Sequence, residues 1–86
     1  MFYVYILRSL KDHNHYAGYS SDLKHRLEEH NLGKVEATKR RTPLELIYYE
    51  AYKCRSDATT REKYFKTQWG RSYLKKVLKH FYEGGG

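Results

Sequence analysis

"FYVYILRSLKDHNHYAGYS", Phe2 to Ser20, is the stretch whose reading decides the fold. "FYVYILRS" is dense in β-branched and aromatic residues, the composition of a strand. "LKDHNH" is polar and reads as a turn. "HYAGYS" returns to the strand pattern, so the segment is a β-hairpin. Side chains alternate along a strand, placing Tyr3, Tyr5 and Leu7 on one face and Val4 and Ile6 on the other. Tyr16 and Gly18 share one face of the second strand. If Tyr5 pairs near Gly18, Tyr5 and Tyr16 lie on the same face, with room between them at Gly18. A slip of one residue sends them to opposite faces. The competing account is that the tyrosines simply fill strand faces.

Downstream of the hairpin, Ser20 or Ser21 is placed to cap a helix with Asp22 in its first turn. Leu23, Arg26, Leu27 and His30 follow at the spacing of one helical face. An arginine and a histidine therefore border the leucine stripe. The plain alternative is an Asp22–Arg26 surface pair with His30 as a solvated end. Gly33 suits a left-handed residue closing the helix near Asn31–Gly33. "KVEATKRRTP" is a polar, basic loop, and "LELIYYEAYK" from Leu44 is a third strand. "RSDATTREKYFKTQW" predicts a second helix, interrupted by Gly70. "RSYLKKVLKHFY" predicts a third, with Leu74, Val77, Leu78 and Phe81 on one side.

The order β-β-α-β-α-α implies an α+β fold: a three-stranded, mainly antiparallel sheet flanked by helices. Residues 1–83 are expected to form a single domain. Gly84–Gly86 are set aside as a tail foreign to it.

Glu62 stands out on the second helix. Ala58, Glu62, Phe65 and Trp69 share a stripe, and a carboxylate on an apolar stripe is costly unless a cation or metal pairs with it. The alternative is a capping box, Thr59 as N-cap and Glu62 three residues on.

Composition narrows the partners. Lys and Arg number 17 against 10 acids, a formal charge of +7 on 86 residues. That favours a polyanion, a nucleic acid or an acidic membrane surface, over a merely soluble basic protein. Ten tyrosines suit half-buried sheet faces, but tyrosine also stacks on bases and binds phosphates. The lone cysteine, Cys54, forms no internal disulfide and supports no cysteine-pair zinc site, which points to a reducing compartment, the cytoplasm. No apolar run is long enough to span a membrane.

Taken together, these positions resemble the GIY-YIG nuclease superfamily over nearly the whole chain. "YVYIL" stands where the first motif does, with Tyr5 as its tyrosine. "YAG", Tyr16 to Gly18, matches the second. "SSDLKHRLEEHN" carries the matching Arg26 and His30, and "ATTREKYFK" the helical glutamate, Glu62. The likeness is greatest to small bacterial standalone members, which share the His30-Asn31-x-Gly33 step, a threonine like Thr38, the "TPLELIYYE" strand and a lysine like Lys66. Tyr3 replaces the first motif's glycine and Ala17 the second motif's isoleucine. Many members carry a late asparagine, and none follows Asn31 here.

The resemblance implies phosphodiester hydrolysis with one divalent metal, Mg²⁺ or Mn²⁺. Tyr5 would activate water and Tyr16 would orient water or phosphate. A free tyrosine titrates near ~10, so Arg26 would supply the positive charge Tyr5 needs while neutralising charge on the phosphate. His30 would bond a phosphate oxygen or orient a tyrosine. Glu62 would hold the metal, weakly without substrate. Gly18 would clear space for the nucleic-acid backbone. Lys39, Arg40, Arg41, Lys66 and the basic final helices would track phosphates with little sequence preference.

The expected substrate is DNA ahead of RNA, with no membrane partner, and a protein partner is expected to supply target choice. Two other functions fit the same residues. One is a nucleic-acid-binding module on this fold with little catalysis. The other is a basic structural or interaction domain, against which the convergence of Arg26, His30 and Glu62 counts.

Overall fold

The computed structural model describes residues 1–84, so Gly85 and Gly86 of the expected tail lie outside the described residues. Its elements are β1 (Phe2–Ser9), β2 (His15–Ser20), α1 (Leu23–Asn31), β3 (Leu44–Tyr52), α2 (Arg55–Phe65), α3 (Gln68–Val77) and α4 (Lys79–Tyr82). The sheet order is β2-β1-β3, and both pairings are antiparallel. The expected α+β class holds. Tyr5 sits opposite Gly18, and Leu7 opposite Tyr16, so the hairpin register puts Tyr5 and Tyr16 on one face.

The alternation in β1 sorts two cores. Val4 and Ile6 pack with Ala17, Ala58, Phe65 and Leu74 beneath α2 and α3. Tyr5 and Leu7 pack with Leu44, and with Leu23 and Leu27 of α1, on the other face. A chain this short gets most of its stability from these thin layers.

Several local expectations change. Asp22, rather than Ser20 or Ser21, caps α1, accepting from the His25 amide at 3.1 Å. Ser20 is occupied one step earlier, bonding the Asp22 backbone. Gly33 does take the left-handed conformation after α1 (φ 74°). The second helix stops at Phe65 instead of running to Trp69. Thr67 ends it: its hydroxyl donates to the Tyr64 carbonyl at 2.6 Å and accepts from the Gly70 amide at 3.3 Å, capping α3. Gly70 is therefore inside α3. A Cβ there would come within 2.6 Å of the Phe65 Cα, so glycine is needed where α3 folds back on the end of α2. Trp69 leaves the Ala58–Phe65 stripe and is 75% exposed. Val77 is exposed too, because the chain breaks again at Leu78 between α3 and α4.

The loop from Lys34 to Pro43 is polar in composition, yet it buries Val35 and Thr38. Asn31 joins its two ends. Its amide nitrogen donates to the Leu44 carbonyl at 2.9 Å and its oxygen accepts from the Leu44 amide at 2.8 Å, as a neighbouring strand would. Asn31→Ala is expected to cost about 1–3 kcal/mol, two net hydrogen bonds. A urea midpoint lowered at unchanged slope checks it.

The aromatic residues are largely structural. Tyr48 and Tyr52 each donate to Glu50 at 2.5 Å, and Arg61 clasps the same carboxylate at 2.8 and 3.1 Å. The Arg61 guanidinium also lies over the rings of Tyr64, Phe65 and Tyr73 at 4.6 to 4.8 Å. This cluster fixes α2 against β3. Arg61 and Glu62 are consecutive and lie about 100° apart around α2, one on each side of the buried Ala58–Phe65 stripe, so with Arg61 held on the β3 side Glu62 falls on the other side of that stripe.

Candidate active site

Tyr5 starts in the middle of the sheet, and its ring lies over Gly18 of β2. A Cβ at Gly18 would come within 2.9 Å of the ring's Cε1 and closer still to the phenol end. Gly18 thus makes room for Tyr5. The expected space for a nucleic-acid backbone at Gly18 is already filled by the phenol.

The Tyr5 hydroxyl shares a 2.9 Å hydrogen bond with His30 Nε2. His30 Nδ1 is 2.6 Å from Thr38 Oγ1. Tyr16 meets His30 edge-on, with ring centroids 5.2 Å apart. His30 is wholly buried and Tyr5 is 1% exposed, so the plain account of His30 as a solvated helix end fails. The predicted Asp22–Arg26 pair is also replaced: Arg26 pairs with Glu29 at 3.4 Å and sets its guanidinium beside the Tyr5 phenol.

Glu62 arrives from the other face of the sheet. Its carboxylate is near enough to the Tyr5 phenol to disfavour ionisation there, as Tyr16 does from β2. Its nearer partner is Lys66, at 3.3 Å one helical turn on. The capping-box account fails because α2 begins at Arg55. Thr59 lies within the helix and donates to the Ser56 carbonyl at 3.2 Å.

Tyr16, Arg26 and His30 therefore surround the Tyr5 phenol, and Glu62 lies within electrostatic reach of it. Its electrostatics differ from expectation. Burial pushes Tyr5 up to about 12, and the Arg26 hydrogen bond only partly offsets that. Tyr5 is un-ionised at neutral pH despite the arginine. Burial, with the Arg26 charge, holds His30 down at about 4, so it is a neutral imidazole.

The histidine makes folding acid-sensitive. Unfolded His30 titrates near 6.5 and folded His30 near 4, so protons bind the unfolded chain first. Stability present above about pH 6.5 is expected to fall as pH drops toward 4, by about 3 kcal/mol. Urea unfolding of parent and His30→Gln across that range checks it, since the variant removes that part of the slope.

The basic loop is less free than its composition suggests. Arg41 binds Asp12 at 2.7 Å and is half-buried, tying the loop to the hairpin turn. This pair holds the Asp12 carboxyl at about 2. Lys39 pairs with Glu36 at 2.9 Å, while Arg40 is exposed. Composition alone did not show that Thr38 would reach His30 or that Asp12 would take Arg41.

The sequence profile described as the GIY-YIG catalytic domain matches residues 1–76. The chain belongs to the GIY-YIG family. Within that family it resembles the UPF0213 proteins. One from Pediococcus pentosaceus is 39% identical over 80 residues, 92% of this chain and 83% of that protein. One from Streptococcus pyogenes is 41% identical over 71 residues, 81% of this chain and 76% of that protein. The solution NMR structure of a UPF0213 protein from Bacillus halodurans superposes with a TM-score of 0.55 at 31% identity, covering 90% of this chain and 85% of that one. No helix among the described residues is long and apolar enough to cross a membrane.

No three His, Cys, Asp or Glu side chains cluster to hold a metal among the described residues. The donors fit a hard divalent ion anchored by one carboxylate, because Glu62 is half-buried, lies within electrostatic reach of Tyr5 and, among the described residues, pairs with one surface lysine.

Proposed function

We propose that this GIY-YIG chain is a divalent-metal-dependent endonuclease that hydrolyses phosphodiester bonds, DNA ahead of RNA, with little sequence preference of its own. The observation that supports the reading is that Arg26 sits beside the Tyr5 phenol while Glu62, on a helix of the other sheet face, lies within electrostatic reach of the same phenol. Residues 1–83 act as one domain in this reading, working in the cytoplasm, and a protein partner directs the cut.

In the reaction, a water oxygen bonds to phosphorus, the bond to the leaving sugar oxygen breaks, and a proton reaches that oxygen. In the small fraction of molecules whose Tyr5 has released its proton to solvent, the phenolate takes the proton from the attacking water, and solvent water returns a proton to the leaving sugar oxygen. His30 supports this in the tautomer that carries hydrogen on Nε2, with Thr38 donating to Nδ1: the phenol oxygen then accepts from both His30 and Arg26, the donors that stabilise it as it loses its proton. Tyr16 orients the water or the phosphate. Arg26 offsets the charge that grows on the phosphate oxygens. Glu62 would hold Mg²⁺ or Mn²⁺, which polarises a phosphoryl oxygen when bound. Lys66 is then released from its pair to meet phosphate, joined by Lys39 and Arg40. Gly18 and Arg41 serve instead to seat Tyr5 and to brace the loop.

The near-complete burial of Tyr5 favours a second reading, a binding module with little catalysis. Incubating the chain with DNA and RNA, with and without Mg²⁺ or Mn²⁺, separates the two. Metal-dependent nicks support the nuclease, and binding without nicks supports the module.

A further inference from the structure

A groove of about 550 Å³ opens on the Val4–Ile6 side of the sheet, away from the Tyr5–His30 core. Its floor is the packed apolar layer of Ile6, Ala17 and Leu74. One wall carries Lys66, Arg71 and Lys75, and none of the lining residues is acidic. The other wall holds His15 and Tyr82, whose Nε2 and hydroxyl share a 2.8 Å hydrogen bond. Tyr82 remains 41% exposed. Lys66 is also the partner of Glu62, so the groove begins one helical turn from the candidate cleavage site.

The cations alone would suit any phosphate backbone. The apolar floor and the aromatic wall ask for more. A duplex presents its sugar-phosphate rail outward and keeps its base faces stacked inside, so it would meet only the cationic rim. An unpaired nucleotide offers a phosphate and a free apolar base face together.

We infer that this groove holds an unpaired nucleotide of the strand being cut, its phosphate against Arg71 and Lys75 and its base against the Tyr82–His15 wall. The inference rests on the nuclease reading and names its substrate class: nucleic acid that is single-stranded beside the scissile bond.

The test is fluorescence anisotropy with a short labelled single strand and with its blunt duplex, across a salt series. The parent is expected to bind the single strand about tenfold more tightly, the effect of stacking one base. Tyr82→Ala should lose about that factor on the single strand and bind duplex as the parent does. Arg71→Gln and Lys75→Gln should each lower the salt slope on the single strand by about 0.7. Thermal melting of each variant checks folding. Lys75 is exposed and makes no hydrogen bond among the described residues, so its variant tests the groove even if Tyr82→Ala unfolds. A parent that prefers duplex overturns the inference. So does Lys75→Gln with an unchanged slope, or a folded Tyr82→Ala that keeps the parent's preference. These outcomes leave the nuclease reading standing, because Glu62→Gln tests it separately. A parent that binds no nucleic acid overturns both.

Discussion

Glu62→Gln is expected to fold as the parent does and to lose Mg²⁺- or Mn²⁺-dependent nicking by roughly 100-fold or more, the loss of several kcal/mol of Lewis-acid assistance. Glutamine keeps the shape and an acceptor for Lys66 while removing the charge that would hold a metal. The lost pair lies on the surface, where such pairs contribute about 1 kcal/mol at most, so melting should barely move. Helix capping does not confound the result, since Thr59 is mid-helix. A variant that nicks at the parent's rate would remove Glu62 from the chemistry.

Tyr5→Phe is the second large effect. Phenylalanine keeps the ring over Gly18, so packing survives, while His30 Nε2 loses its buried partner. About 1–3 kcal/mol of stability should go with it. Single-turnover nicking should fall about 10²- to 10⁴-fold, the range for a lost general base. The pH profile carries the mechanism. With Tyr5 pushed up to about 12, the ionised fraction stays small through neutral pH. The parent's rate should then rise about tenfold per pH unit between roughly pH 6 and 9, and the variant's should not. A parent profile that is flat across that range would overturn Tyr5 as the base.

Part of this site was legible in the chain. Tyr5 and Tyr16 on one face followed from strand alternation once Gly18 was set opposite Tyr5. Arg26 and His30 on the leucine side of α1 followed from their spacing of four. Tyr48 and Tyr52 of β3 read equally well as base-stacking groups, and only the Glu50–Arg61 cluster shows them holding α2 in place. Gly70 read as a helix breaker because its usual cost in a helix was visible and the nearby Phe65 backbone was not.

By itself the sequence determined the sheet and the identity of the family, and it narrowed the hairpin to a register that the structure then fixed with Tyr5 opposite Gly18, because strand alternation, helical spacing and motif order are properties of neighbouring residues. Three matters waited on the tertiary structure. Glu62 comes within electrostatic reach of Tyr5 from the far side of the sheet because a contact to β3 sets the rotation of α2. His30 is neutral, and Tyr5 un-ionised, because packing between elements removes them from water, and burial outweighs the nearby arginine. Arg41 braces the loop because Asp12 lies 2.7 Å away in space, though far along the chain. Each depends on which surfaces fold together, and no local pattern encodes that.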